Sequence, residues 1–146
     1  MSHRTKLRTA VVGACTAALL AGSSLLTFPV QAESRAEAQV NAFFSQYRDA
    51  VLGQNPNQDP REVEEEFLTP DLITQLDAYA KANDADPVFR AQNVPDSWSL
   101  SYQGSGAGHS TVILSEYWAG GPRQDVWYQV RLANLVIDNL QDPPAQ

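Results

Sequence analysis

The sequence holds one cysteine, one methionine and two histidines in 146 residues. A single cysteine, Cys15, excludes a disulfide within the chain. With one of the two histidines at position 3, a zinc or iron site would need an unusual set made of carboxylates alone. Positive charge is also scarce: ten Lys and Arg face seventeen Asp and Glu, for a net charge of −7. Nucleic-acid binding rests on clustered Lys and Arg that neutralise phosphates, and attraction to an anionic membrane surface needs the same clusters. Neither partner is expected. There is no cofactor motif and no internal repeat, so we expect no cofactor.

What basic charge the first part has is concentrated at its very start. Arg4, Lys6 and Arg8 are the only Lys or Arg before position 33, and no acidic residue precedes Glu33. An apolar stretch follows from Ala10 to Leu26, then Val30-x-Ala32 with small or aliphatic residues where a signal peptidase reads. This pattern predicts a general secretion signal over residues 1–32, cleaved after Ala32. An uncleaved anchor is disfavoured, because Gly13, Gly22 and the Ser23-Ser24 pair dilute a stretch that must supply about 20 predominantly apolar residues. Lipid attachment at Cys15 is disfavoured because most of the apolar region comes after it. The expected mature chain, residues 33–146, keeps seven basic and all seventeen acidic side chains, a net charge of −10, and no cysteine. Export without disulfides suits a bacterial protein of the extracellular or cell-wall space.

Residues 33–146 are read as one α+β domain. Ser34 with Glu37 has the spacing of a capping box, predicting a first helix to about Leu52 whose buried face is Val40, Phe43, Phe44, Tyr47, Ala50 and Val51. Asp59-Pro60-Arg61-Glu62 opens a short second helix to Leu68, and Thr69-Pro70-Asp71 a third that ends near Asn83. The acidic run of the second helix, Glu62 and Glu64 to Glu66, is read as a solvated face. After a connection through Pro87 and Pro95 the apolar period changes from 3.6 to 2. Strands are predicted at 97–103, 111–118, 125–132 and 135–140, with a flexible hairpin loop at 104–110 and a reversal at Ala133-Asn134 in which Asn is left-handed. Residues 141–146 are read as a frayed tail. Three helices laid across one face of a curved four-stranded antiparallel sheet result.

The segments NAFFSQYRDAV, FLTPDLITQLDAYAKAND and DADPVFRAQNVPDSWS, with the closing strands, resemble small secreted bacterial proteins of unknown function grouped with the nuclear-transport-factor-2-like, cystatin-like α+β roll. The resemblance implies a cone-shaped roll able to enclose a pocket. It implies no activity and carries no functional residue over, because such rolls include isomerases, dehydratases, cyclases and members that only bind.

Candidate chemistry must come from single residues. His109 lies among glycines in the hairpin loop, where no third group is expected to hold it as a base for Ser105 or Ser110, and is read as an exposed loop histidine. Asp84 and Asp86 lack the further ligands of a calcium loop and are read as solvated acids. Glu116 alternates with Val112 and Leu114, so it is desolvated if that face turns inward; with the hydroxyl of Tyr117 or Tyr128 it would form the acid-base set of a cofactor-free isomerase or dehydratase. Arg90 and Arg131 are the cations available to an inward Glu116; exposed aromatics on a sheet make a partner surface, and Trp127, Gln129 and Arg131 are the patch nominated, with Arg90 as a further binding residue. The resulting expectation is a secreted, non-catalytic binding domain for an extracellular protein or small molecule, with the Glu116 enzyme as the alternative. A homodimer through the sheet is allowed by its aromatic content and not required.

Overall fold

The structure is a computed structural model that describes residues 27–145, with side chains from Arg35 onward. The basic region and apolar stretch expected of a secretion signal lie outside these residues. The described chain folds as α1 (Thr27–Val51), α2 (Pro60–Phe67), α3 (Pro70–Asn83), β1 (Ser97–Gly106), β2 (His109–Tyr117), β3 (Gln124–Arg131) and β4 (Ile137–Gln141). The strands pair antiparallel in the order β1-β2-β3-β4, an α+β arrangement with the helices first.

Helix α1 begins seven residues before the predicted cap at Ser34. Ala, Gln and Glu at 31–33 are strong helix formers, and Pro29 stands in the first turn, where its missing N–H costs nothing. Its buried face is Ala36, Val40, Phe43, Phe44 and Tyr47, whereas Val51, placed on that face by spacing, is 37% exposed. The predicted capping box of α2 is present: the Glu62 N–H donates to Asp59 and the Asp59 N–H to Glu62, at 2.9 and 2.8 Å. Thr69 caps α3, and the Thr69 N–H also donates to the Ile137 carbonyl, which pins the joint between α2 and α3 to β4.

The core lies between the helices and one sheet face. Phe43 meets Phe67 and Tyr128, Phe44 meets Phe89 and Trp98, and Val112, Leu114, Val126 and Val130 form the sheet side with no exposure. Burying a side chain of this size contributes about 1.5–3 kcal/mol, so this layer dominates the stability.

Two turns depart from expectation. The segment 104–110 is mostly strand, closed by Ala107 and Gly108 with φ of 51° and 82°. Two consecutive left-handed residues give the tight hairpin turn whose twist matches its strands. At the last reversal Leu135, not Asn134, is left-handed, with φ 62°; Asn134 instead accepts the Val136 N–H on its side chain. Its short carbonyl side chain does locally what a backbone carbonyl would.

Candidate functional site

The alternation of β2 does turn Glu116 inward, with Val112 and Leu114, and the carboxyl has no exposure and no hydrogen-bond partner on either oxygen among the described residues. Burial first, then the negative charge of Asp86, pushes it up to about 9, against the opposing pull of Arg90. It is therefore neutral at pH 7 and carries a proton it can donate. Tyr128, inward on β3, is equally buried, with an unpartnered hydroxyl. Burial, and next the charge of Glu116, raises its ionisation well above that of a free phenol.

Arg90 completes this group. Its backbone takes φ 54°, and its side chain is 8% exposed. The guanidinium stacks 4.0 Å over Tyr79 and donates to the Leu140 carbonyl at 3.0 Å, while its buried Nε makes no hydrogen bond and lies 3.9 Å from the Asp142 carboxylate. Gln124 sits opposite Glu116 in the strand register and donates to the carbonyls of Phe89 and Arg90 at 3.1 and 3.4 Å, holding that loop against the sheet. Outside this wall lies an open cleft of about 410 Å³ lined by Tyr79, Arg90, Gln124 and Asp142. A second, of about 330 Å³, runs past Gln124 to Trp118. Neither is lined by Glu116 or Tyr128. Among the described residues, four of the five buried side-chain atoms without a hydrogen-bond partner belong to Glu116, Tyr128 and Arg90, and a buried polar group without such a partner is uncommon enough to require an explanation.

Four residues stand elsewhere than expected from the sequence. Tyr117 follows Glu116 on the strand and so points the other way, 37% exposed and bonded to Ser99; it cannot act with Glu116. Arg90 stacks on Tyr79 of α3, on the helix side of the sheet, so it does not join the Trp127 patch; it is instead the cation that acts on Glu116. Asp86 is not a solvated loop acid: it accepts the Tyr47 hydroxyl at 2.9 Å and the Val88 and Phe89 N–H groups at 2.8 and 2.9 Å, and burial raises its pKa despite those bonds. Within the acidic run of α2, Glu64 is 5% exposed and pushed up to about 7 by burial, with Arg61 at 3.0 Å pulling the other way.

The opposite face of the sheet gathers the other nominated residues. Trp127, Gln129 and Arg131 alternate outward along β3, the first two half-buried and the third exposed. The register sets Trp127 between Ile113 and Gln141, and Gln129 between Thr111 and Asn139. Arg131 stands opposite His109, and both reach Asp138, at 2.9 and 2.6 Å. His109 thus opens a strand and is tied down, rather than sitting free in a loop. Its bond to Asp138 raises its pKa, and although partial burial works against it, the same contacts keep Asp138 below the usual carboxylate range. Ser110 turns inward and pairs with Ser105, so no nucleophile stands beside the imidazole. Among the described residues, no three His, Cys, Asp or Glu side chains assemble as a metal set, and no helix is long and apolar enough to cross a membrane.

The chain matches no family model and no curated protein. It is similar to the crystal structure of a protein of unknown function from Bacteroides thetaiotaomicron, with 21% identity over 82% of this chain and 95% of that one, and a TM-score of 0.54. At that identity the likeness shows a shared fold.

Proposed function

We propose that this protein is a secreted, non-catalytic binding domain built on a nuclear-transport-factor-2-like roll, and that the outer face of its sheet meets an extracellular partner. The observation that carries this reading is the outer face itself. All three helices pack on the other side, no described element covers this one, and Trp127, Gln129 and Arg131 stand together on it. Secretion is supported by the basic start, apolar stretch and Val30-x-Ala32 box. The order of three helices then four antiparallel strands supports the roll. The test is affinity capture by the tagged protein from the producing organism's culture medium and cell-wall extract, with Trp127→Ala as the paired bait. A stoichiometric species held by the parent protein and lost with Trp127→Ala supports the reading. Equal retention by both overturns the choice of face.

A second reading is favoured by the buried Glu116. A neutral carboxyl near a phenol and a guanidinium, all with unused hydrogen-bonding capacity, suits a cofactor-free proton-transfer site, with Glu116 exchanging a proton with substrate and Tyr128 stabilising the charge that develops. For this to operate, the wall of Arg90 and Gln124 must open. Turnover of an enolisable substrate that Glu116→Gln abolishes without loss of folding would favour this reading; turnover unaffected by the substitution would end it.

A further inference from the structure

We propose that the outer face of the sheet docks an uncharged, extended, β-1,4-linked polysaccharide with Trp127 as its platform. This rests on the reading above that the outer face is the working surface, and it names the occupant.

The charges on that face are already committed to one another. At one end Asp138 is shared by His109 and Arg131. At the other, Asp125 is held by Arg123 through two contacts of 2.7 Å and by the Ser115 hydroxyl. A polyanion would need free cations here. Between the two clusters the outward side chains are neutral: Ser101, Thr111, Gln129, Asn139 and Gln141, around Trp127.

A β-linked pyranose chain has the matching chemistry. Its hydroxyls lie around the rim of each ring and require partners that both donate and accept, which amide and hydroxyl side chains do. Its ring faces present C–H bonds, which pack against the electron-rich face of an indole. Trp127 is half-buried on this face, between Ile113 and Gln141 in the register. On β1, Gly104 stands opposite Thr111 and Gly106 opposite His109, and open space lies where their side chains would be. That corner of the face is low, so a chain crossing the sheet can run off it. Four strands span about 14 Å, enough for a short run of sugar units.

A second copy of this chain is the poorer occupant. The core of a stable dimer interface is about 65% apolar, and Ile113, Trp127 and Tyr117 are the only large apolar side chains among the outward positions described.

The test uses the purified protein, retention on microcrystalline cellulose and on chitin, and tryptophan fluorescence titrations with their soluble oligosaccharides. Saturable binding to at least one polymer is expected. Trp127→Ala, checked for folding by circular dichroism, weakens it about tenfold or more, while Trp127→Phe, which keeps a ring, retains most of it. Because no free charge is used, affinity is expected to hold as NaCl rises from about 0.05 to 0.5 M. Binding that fades with salt, persists in Trp127→Ala, or is absent from both polymers overturns the proposal, as does a dimer that Trp127→Ala dissociates. If both polymers fail while Trp127→Ala still abolishes capture of a protein partner, the polysaccharide is wrong and the face is right. If both assays fail, the face itself is wrong.

Discussion

Glu116→Gln isolates the most unusual group in the core. In the unfolded chain the carboxyl ionises near pH 4.5, whereas in the fold burial holds its proton to about 9. Between those values the folded protein binds one proton more than the unfolded one, so stability is complete below about 4.5 and falls as pH rises. The slope is about 1.4 kcal/mol per pH unit, so the interval from pH 5 to 8 carries a loss of up to about 4 kcal/mol from this one group. That is a large share of the roughly 5–15 kcal/mol that holds a typical domain together. Glutamine keeps the shape of the protonated acid and does not titrate. Urea unfolding at pH 5, 6, 7 and 8 should therefore give similar stabilities at pH 5 and a variant increasingly more stable than its parent as pH rises. Taking the difference at each pH removes the other titrating groups. Parallel curves for the two proteins would mean instead that Glu116 reaches water or a cation in solution and keeps an ordinary carboxylate titration.

Asp86→Ala leaves the Tyr47 hydroxyl and two backbone N–H groups without their acceptor and should cost about 3 kcal/mol in urea unfolding. Phe43→Ala, fully buried among Tyr47, Phe67 and Tyr128, should cost about 3–5 kcal/mol by the same assay. Asp84, the left-handed cap of α3 with φ 49°, should gain about 0.5–1 kcal/mol on replacement by glycine, read as a higher melting temperature. Asp138→Asn should bring the His109 pKa, followed by NMR, down toward about 6.5. In the parent protein that pair's contribution is present below the unfolded histidine's pKa and is lost as pH rises through the raised folded value.

How much of this was legible in the sequence depends on range. The caps at Asp59 and Thr69 are local, and spacing alone found them. The period of two placed Glu116 with Val112 and Leu114, and the same alternation, followed one residue further, already sets Tyr117 on the other face. Trp127, Gln129 and Arg131 share a face for the same reason. What alternation leaves open is which face is covered, and that is decided by Phe43 and Phe44 on a helix far away in the chain. Asp86 reads wrongly as a solvated acid, and Arg90 reads equally as a cation for Glu116 and as a member of the outer patch, because neither position is periodic. Arg90 is held by Tyr79 and by the Leu140 carbonyl, 50 residues later, and Asp86 is drawn down by Tyr47, 39 residues earlier. The tie between His109 and Asp138 spans 29 residues and follows from the pairing of β2 and β3 with β4, which no local pattern encodes. The glycines around His109 signalled flexibility, yet two left-handed residues in succession are also what a tight hairpin requires.

The working face is tested most directly by mapping a bound partner onto the assigned NMR spectrum of the protein. On addition of the retained partner the largest shifts are expected on outward residues of the sheet, Thr111, Ile113, Trp127, Gln129 and Asn139, while the core opposite stays still. Shifts centred instead on Tyr79, Arg90, Trp118 and Gln124 would contradict it and place the site at the clefts outside Glu116.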